Sequence, residues 1–342
     1  MHDSPVLLVK THAFGDALLC TPAVRELVRS GRTEFWFLTG YSAADVWERF
    51  PGISRVFVAP VPPEGFSGYI ALLRWSVRNR KILHGAGEAI VFQGSPAIRR
   101  WVHYLTGSQV RSSGGKPLGS WERVFPMSPA EYAGYSYSKT AGVSPDEWRP
   151  AFPVKRSETE WVEKLRFSRP LFVIAPGGGK NPRDTVPEKR WFPERFAVIA
   201  DRLSESGFNI VLIGGDGDRA IAAETVKLCR TAVLDLTGKT TWGQTAAVLD
   251  KCYGFLGVDS GAAHLAAARG VPSVVLFGPS SPDYLFAPGI IGYVKGEVEC
   301  SPCYSNSLFR GCIHGKAICM EAVEIEDVWK KIREVINENY GG

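Results

Sequence analysis

The chain has 342 residues, 45% hydrophobic and 22% charged, with a formal net charge of +5. That length suits two α/β domains, each able to bury its own core, and that composition excludes an intrinsically disordered chain. The basic excess is too small and scattered for a nucleic-acid stripe, no segment approaches the ~20 continuous apolar residues of a membrane span, and the first residues run straight into a strand without a signal-peptide pattern, so a cytoplasmic protein with no nucleic-acid partner is expected.

In chain order, short apolar runs at 6–9, 35–38, 55–58 and 89–92 alternate with helical patterns through Leu18 to Val28, around 43–50 and over 68–83. Continuous apolar strands joined by helical crossovers predict a parallel sheet covered on both faces. From about 107 to 155 the rhythm is lost and Gly, Ser, Pro and Tyr accumulate, which places the domain boundary there: 1–155 against 156–322. The second array predicts strands at 171–175, 209–213, 233–235, 253–257 and 273–277, with helices over 157–166, 193–206, 218–229 and 242–249 and after Asp259. A last helical stripe, Val328, Ile332, Val335 and Ile336, lies in 323–342, with a return to the first domain left open. The expected class is therefore α/β, two Rossmann-like doubly wound domains whose ligands bind beyond the carboxyl ends of the strands, in a deep cleft where the two face each other.

Three loops carry chemistry. Gly257-Val-Asp259-Ser260-Gly261-Ala-Ala-His264 reads as a strand end, a tight turn and the start of a small-residue helix, which aims free backbone N–H groups at an anion. Pro176-Gly177-Gly178-Gly179-Lys180 removes side chains where a phosphate or sugar would approach the backbone, and Lys189 and Arg190 add positive charge just before the next helix, as an anion site or as plain surface charge. The loop Lys10-Thr-His12-Ala-Phe-Gly-Asp16 matches neither the dinucleotide nor the P-loop pattern. There Asp16 reads either as a helix N-cap or as a general base taking a proton from an incoming hydroxyl.

Arg74, Arg78, Arg80 and Lys81 gather near a helix end, with Arg99 and Arg100 beside Trp101; they read as a solvated face, or as a face toward an anionic substrate or membrane surface. Cys20, Cys229 and Cys252 fall inside predicted elements as buried thiols. Cys300-x2-Cys303-x8-Cys312-x6-Cys319 has a spacing compatible with tetrahedral thiolate ligation. Reduced structural thiols, structural zinc and a redox role all stand as readings, with disulfides disfavoured in a reducing compartment.

The order Lys10-Thr-x-x-Phe-Gly-Asp16, Pro176-Gly-Gly, Lys189-Arg-Trp, Ile213-Gly-Gly, Asp259-Ser-Gly-x-x-His264-Leu-Ala and Phe277-Gly-Pro-Ser-Ser-Pro282 resembles the ADP-heptose:lipopolysaccharide heptosyltransferases, glycosyltransferase family 9. The resemblance covers nearly the whole chain and implies a GT-B fold, with inverting transfer that needs no metal or other catalytic cofactor. It implies that Asp16 is the catalytic base, with Lys10 and His12 on the acceptor side. Lys189 would contact the donor phosphates, with Arg190, Gly177, Gly178, Asp259, Ser260, Gly261 and His264 in the donor site. The implied partners are a nucleotide-sugar donor, ADP-heptose or similar, and a lipid-linked or other envelope glycan acceptor, with peripheral contact at the inner membrane. A nucleotide-sugar epimerase or hydrolase needs the donor seat but no acceptor, and a non-catalytic binder needs Asp16 only as a cap.

Overall fold

The computed structural model describes residues 4–31, 34–178, 186–304, 309 and 311–340, in two compact units, Met1–Pro153 and Val154–Gly342. The first unit runs β1 (Val6–Val9), α1 (Phe14–Arg29), β2 (Phe35–Gly40), α2 (Ala44–Glu48), β3 (Ile53–Ala59), α3 (Gly65–Leu83), β4 (Glu88–Val91), α4 (Pro96–Thr106), β5 (Gln109–Ser113), β6 (Glu122–Phe125) and α5 (Ala133–Ala141). Its six strands are parallel in the order β3-β2-β1-β4-β5-β6. All four residues of β1 are buried, as expected for a central strand with helices on both faces. Leu7, Val9, Leu38, Val91, Val102 and Val110 belong to the apolar cluster on one of those faces.

The stretch read as irregular between 107 and 155 holds β5, β6 and α5. Hydropathy hides them because several of their inward side chains are polar and pair with other buried polar groups. Arg99 and Glu122, 2% and 0% exposed, form an ion pair at 2.8 Å. Ser112 donates to Glu122 Oε1 at 2.6 Å, and Ser113 meets Thr140 at 2.7 Å. Buried polar groups paired in this way are compatible with a core, yet interrupt the apolar alternation by which a strand is read.

The second unit runs α6 (Arg156–Glu163), β7 (Leu171–Ala175), α7 (Pro193–Glu205), β8 (Asn209–Leu212), α8 (Arg219–Leu228), β9 (Val233–Asp235), α9 (Trp242–Leu249), β10 (Cys252–Val258), α10 (Gly261–Arg269), β11 (Ser273–Phe277), α11 (Pro282–Leu285), β12 (Gly292–Lys295), α12 (Ile318–Glu321) and α13 (Ile325–Tyr340). Its parallel order is β12-β11-β10-β7-β8-β9. Val328, Ile332 and Val335 of α13 join Val274 and Leu276 in this unit's core, so the stripe for which a return to the first domain was left open packs against the second unit's own sheet.

Both sheets share one topology: from the first strand the order runs outward through the next two on one side, and the fourth strand starts the other side. The crevice outside the carboxyl ends of the two strands at that reversal, β1 with β4 and β7 with β10, is where open α/β sheets hold ligands.

Candidate active site

At the reversal in the first unit, the loop after β1 carries Lys10 and leads into α1. Asp16 is the third residue of that helix, with Ala13 as its N-cap, which corrects the N-cap reading of Asp16: its Oδ2 accepts the Ala13 N–H at 3.2 Å, reaching back over the helix start. The same oxygen lies 3.8 Å from Lys10 Nζ. Lys10 is 3% exposed at its side chain, donates to Gln93 Oε1 at 2.6 Å, and lies 3.4 Å from the Tyr137 hydroxyl, which in turn donates to Gln93 Oε1 at 3.1 Å. Asp16 is about one third exposed. Its Oδ1 takes no hydrogen bond among the described residues, so one oxygen is anchored and the other is open to solvent. His12 Nδ1 is 2.8 Å from Thr11 Oγ1 on the same loop.

Gln93 and Tyr137 were not singled out in the sequence. Gln93 had a usable signal, since it follows the carboxyl end of the apolar run at 89–92; Tyr137, on α5, had none.

At the reversal in the second unit, Gly177 and Gly178 follow β7, and Asp259 and Ser260 follow β10. Gly179 and Lys180 lie outside the described residues. A side chain at 177 would overlap the Asp218 carboxyl group, which accepts the Gly215 N–H at 3.0 Å through Oδ2; at 178 a Cβ would come within 3.4 Å of Lys189 Cβ and 3.5 Å of Arg190 Cγ. Close approach thus dictates glycine at 177, whereas a Cβ at 178 would make ordinary van der Waals contact. Ala262 to Ala268 of α10 are all buried, because small side chains let the helix lie close over the sheet. Its first residues have no intrahelical acceptor for their N–H groups, and the helix dipole adds partial positive charge there.

Lys189 and Asp259, 70 residues apart, form an ion pair at 2.6 Å with side chains 11% and 6% exposed, which corrects the surface-charge reading of Lys189. His264 Nε2 stands 4.0 Å from the other carboxylate oxygen, and its ring stacks on Phe286 at 4.5 Å. Asp259 thus stands between Lys189 and His264, pairing with Lys189 through one oxygen and facing His264 with the other. Burial opposes charge on Asp259, but the Lys189 ammonium, the charge of His264 when protonated and the Ser280 hydroxyl outweigh it and hold the carboxyl below its ordinary range. Asp218 goes the other way: burial pushes it up against the Gly215 N–H and the Arg190 charge. Arg190 Nε, Asp218 Oδ1 and Ser260 Oγ are buried without a hydrogen-bond partner among the described residues, polar groups that a bound ligand can satisfy.

The lowered Asp259 value has a testable sign. A carboxyl whose folded pKa is depressed adds stability that is complete above its unfolded value of about 3.9 and is lost as pH falls through the lower folded value. Chemical denaturation between pH 5 and pH 2 is expected to show stability rising with pH less steeply in Asp259→Asn than in the wild type. Equal slopes would mean that Asp259 is not held ionised.

The late cysteines are free thiols, and among the described residues no group of three or more Cys, His, Asp or Glu side chains is placed to hold a metal ion. Burial, with the nearby Cys300 and Cys312, raises the Cys303 thiol, and backbone contacts hold the segment on the sheet's loops. The N–H groups of Cys303 and Tyr304 donate to Pro279 O at 2.9 and 2.7 Å, and Ser301 donates to Gly278 O at 2.6 Å. Cys319 and Met320 fill the core beside Gly278, and burial, with the nearby Cys303 and Cys300, raises the Cys319 thiol. The segment also brings the Tyr304 ring to 4.5 Å from Lys189 Nζ, a contact with no signal in the sequence.

Residues 130–307, just over half of the chain, match the family model described as glycosyltransferase family 9 (heptosyltransferase). The chain belongs to glycosyltransferase family 9. Among its relatives, the lipooligosaccharide heptosyltransferase 2 of Haemophilus ducreyi is 30% identical over 204 residues, 51% of this chain and 57% of that protein. This family 9 chain matches about half the length of the first curated relatives found. The glycosyl transferase family 9 structure from Veillonella parvula aligns over 99% of both chains with a TM-score of 0.78 at 21% identity. The structure of E. coli ADP-heptose lipopolysaccharide heptosyltransferase II aligns over 98% of this chain and 99% of that one, with a TM-score of 0.76 at 19% identity. At these identities the likeness is one of fold, two Rossmann-like α/β units as in GT-B enzymes.

Proposed function

We propose that this chain transfers a heptose from a nucleoside diphosphate sugar, ADP-heptose or a close analogue, to a hydroxyl of a lipid-linked lipopolysaccharide core or related envelope glycan, at the inner face of the membrane. The reading is supported by family membership and by the names of the heptosyltransferases that this chain resembles. The observation that carries it is the opposite equipment of the two sheet reversals. The first unit offers a carboxylate with one free oxygen beside a buried ammonium, and the second offers glycine-lined backbone, an oriented lysine and a helix N-terminus for an anion.

In this reading the acceptor hydroxyl gives its proton to Asp16 as its oxygen attacks the anomeric carbon. The bond from that carbon to the β-phosphate oxygen breaks on the opposite face, so the configuration inverts and the nucleoside diphosphate leaves with the electron pair. Lys10 keeps Asp16 oriented through Oδ2. Lys189, Arg190 and the N–H groups at the start of α10 stabilise the charge growing on the departing phosphate. Asp259 and His264 fix Lys189 rather than touch the donor.

Acceptor-dependent release of ADP from ADP-heptose, with a mass increase of one heptose on the acceptor, is the expected result. Equal donor consumption without acceptor would make the chain a hydrolase, and donor binding with no turnover would make it a binding protein. We also infer that transfer needs no catalytic metal, because fixed cationic groups supply the phosphate neutralisation. Asp216 and Asp218, the one Asp-x-Asp pair, are engaged by Arg219 at 2.7 Å and by the Gly215 N–H. Turnover is expected to stay within about twofold after EDTA treatment and dialysis; a loss restored by adding back a divalent ion would overturn this.

A further inference from the structure

The helix α3 has two apolar faces. Leu72, Trp75 and Leu83 pack inward on the first unit's core, where Trp75 meets Trp101 at 5.8 Å and Trp101 Nε1 donates to Ser76 Oγ at 2.9 Å. The second face points outward: Phe66, Tyr69, Leu73 and Val77, at 82%, 63%, 63% and 67% exposure, recur every three or four residues and form one stripe. Single exposed apolar residues are ordinary, but a continuous stripe marks an interaction surface. It is convex and stands on a helix, so it offers no groove to receive a peptide.

Charge selects the occupant. Residues 65–83 contain Arg74, Arg78, Arg80 and Lys81 and no carboxylate, Glu64 being the residue just before. Among the described residues Arg74, Arg78 and Lys81 have no acidic partner, and Arg80 lies over the exposed Tyr104 ring at 4.8 Å. On the helical wheel Arg74, Arg78 and Lys81 border the apolar stripe along one side and Arg80 falls in line with it near the helix's C-terminal end, so a helix lying in an interface can place its apolar side chains among acyl chains and its cations at the headgroups. The loop before α3 also runs beside the loop of the proposed base, since Val61 O and Thr11 O both close on the position where a side chain at Gly40 would stand.

We propose that the outward face of α3 docks on a bilayer surface carrying anionic headgroups. This deepens the reading of a lipid-linked acceptor and rests on it for its purpose, while its test is separate.

The full chain is sedimented with vesicles of phosphatidylcholine alone or mixed with phosphatidylglycerol, and transfer to a water-soluble acceptor fragment is measured in parallel. Binding is expected only to the anionic vesicles and is expected to weaken in high salt. Arg74→Gln and Arg78→Gln should each lower partitioning about fivefold, and the double variant Phe66→Ser with Leu73→Ser should lower it further still, with unchanged thermal midpoints because these side chains are exposed. Absence of vesicle binding, equal binding to neutral vesicles, or binding indifferent to all these variants overturns the proposal. So does a wild-type dimer that Phe66→Ser with Leu73→Ser converts to monomer, which would assign the face to a second copy of the chain. Loss of vesicle binding with soluble transfer intact removes the surface and leaves the function; vesicle binding without transfer does the reverse.

Discussion

Replacing Asp16 by asparagine is expected to lower transfer by a factor of about 10² to 10⁴, the range that a positioned general base contributes, while donor affinity stays within about twofold. The amide keeps the shape and can still accept the Ala13 N–H through its carbonyl oxygen, but it cannot take a proton at neutral pH. A cap alone gives a different result. If Asp16 only closed the helix start, asparagine would keep that contact and leave both the thermal midpoint and turnover per folded molecule near those of the wild type. Steady-state rates with saturating donor, read beside a thermal melt, separate the two. A rate within a few-fold of wild type at full folding would remove Asp16 from the chemistry.

Lys189→Ala is expected to act on stability as well as on binding, because the lysine is the counter-charge of a buried carboxylate. Both side chains are nearly inaccessible, and the pair is 2.6 Å apart. Truncating one member of such a pair leaves an uncompensated charge and costs about 3–5 kcal/mol, a fall in thermal midpoint on the order of 10 °C for a domain of this size. Donor affinity should fall too, by roughly 1.5–3 kcal/mol for a lost hydrogen bond to a charged phosphate. The double variant Lys189→Met with Asp259→Leu tests the cause, since removing both charges should recover most of the stability and none of the donor affinity. Calorimetric titration with ADP, together with melts of the single and double variants, reads both. An Ala variant as stable as wild type would show that the pair does not hold the turn; unchanged ADP affinity would move the phosphate seat elsewhere.

Much of the fold was legible because its signals are local. Apolar runs such as Val6–Val9 and Leu171–Ala175 have no polar face, which only a doubly covered strand tolerates, and the turn at Asp259-Ser-Gly carries its own geometry in its residue types. The same locality made Asp16, Gly177 and Asp259 visible as candidates. It could not say what each touches: Lys10 meets Gln93 and Tyr137 across 83 and 127 residues, Lys189 meets Asp259 across 70, and Tyr304 reaches Lys189 from the cysteine-rich segment.

The sequence by itself determined the alternation of strands and helices, the small-residue turns that must lie close to a ligand, and the family motif. Only the tertiary structure decided that Arg99, Glu122 and Ser112, and Ser113 with Thr140, pair as buried polar groups around β5 and β6, that Asp259 is a buried support for Lys189, and that α3 leaves an apolar face uncovered. The reason is physical: periodicity and turn chemistry are properties of neighbours along the chain, whereas the partner that neutralises a charge or covers a side chain is set by strand order, and strand order is a property of the whole sheet.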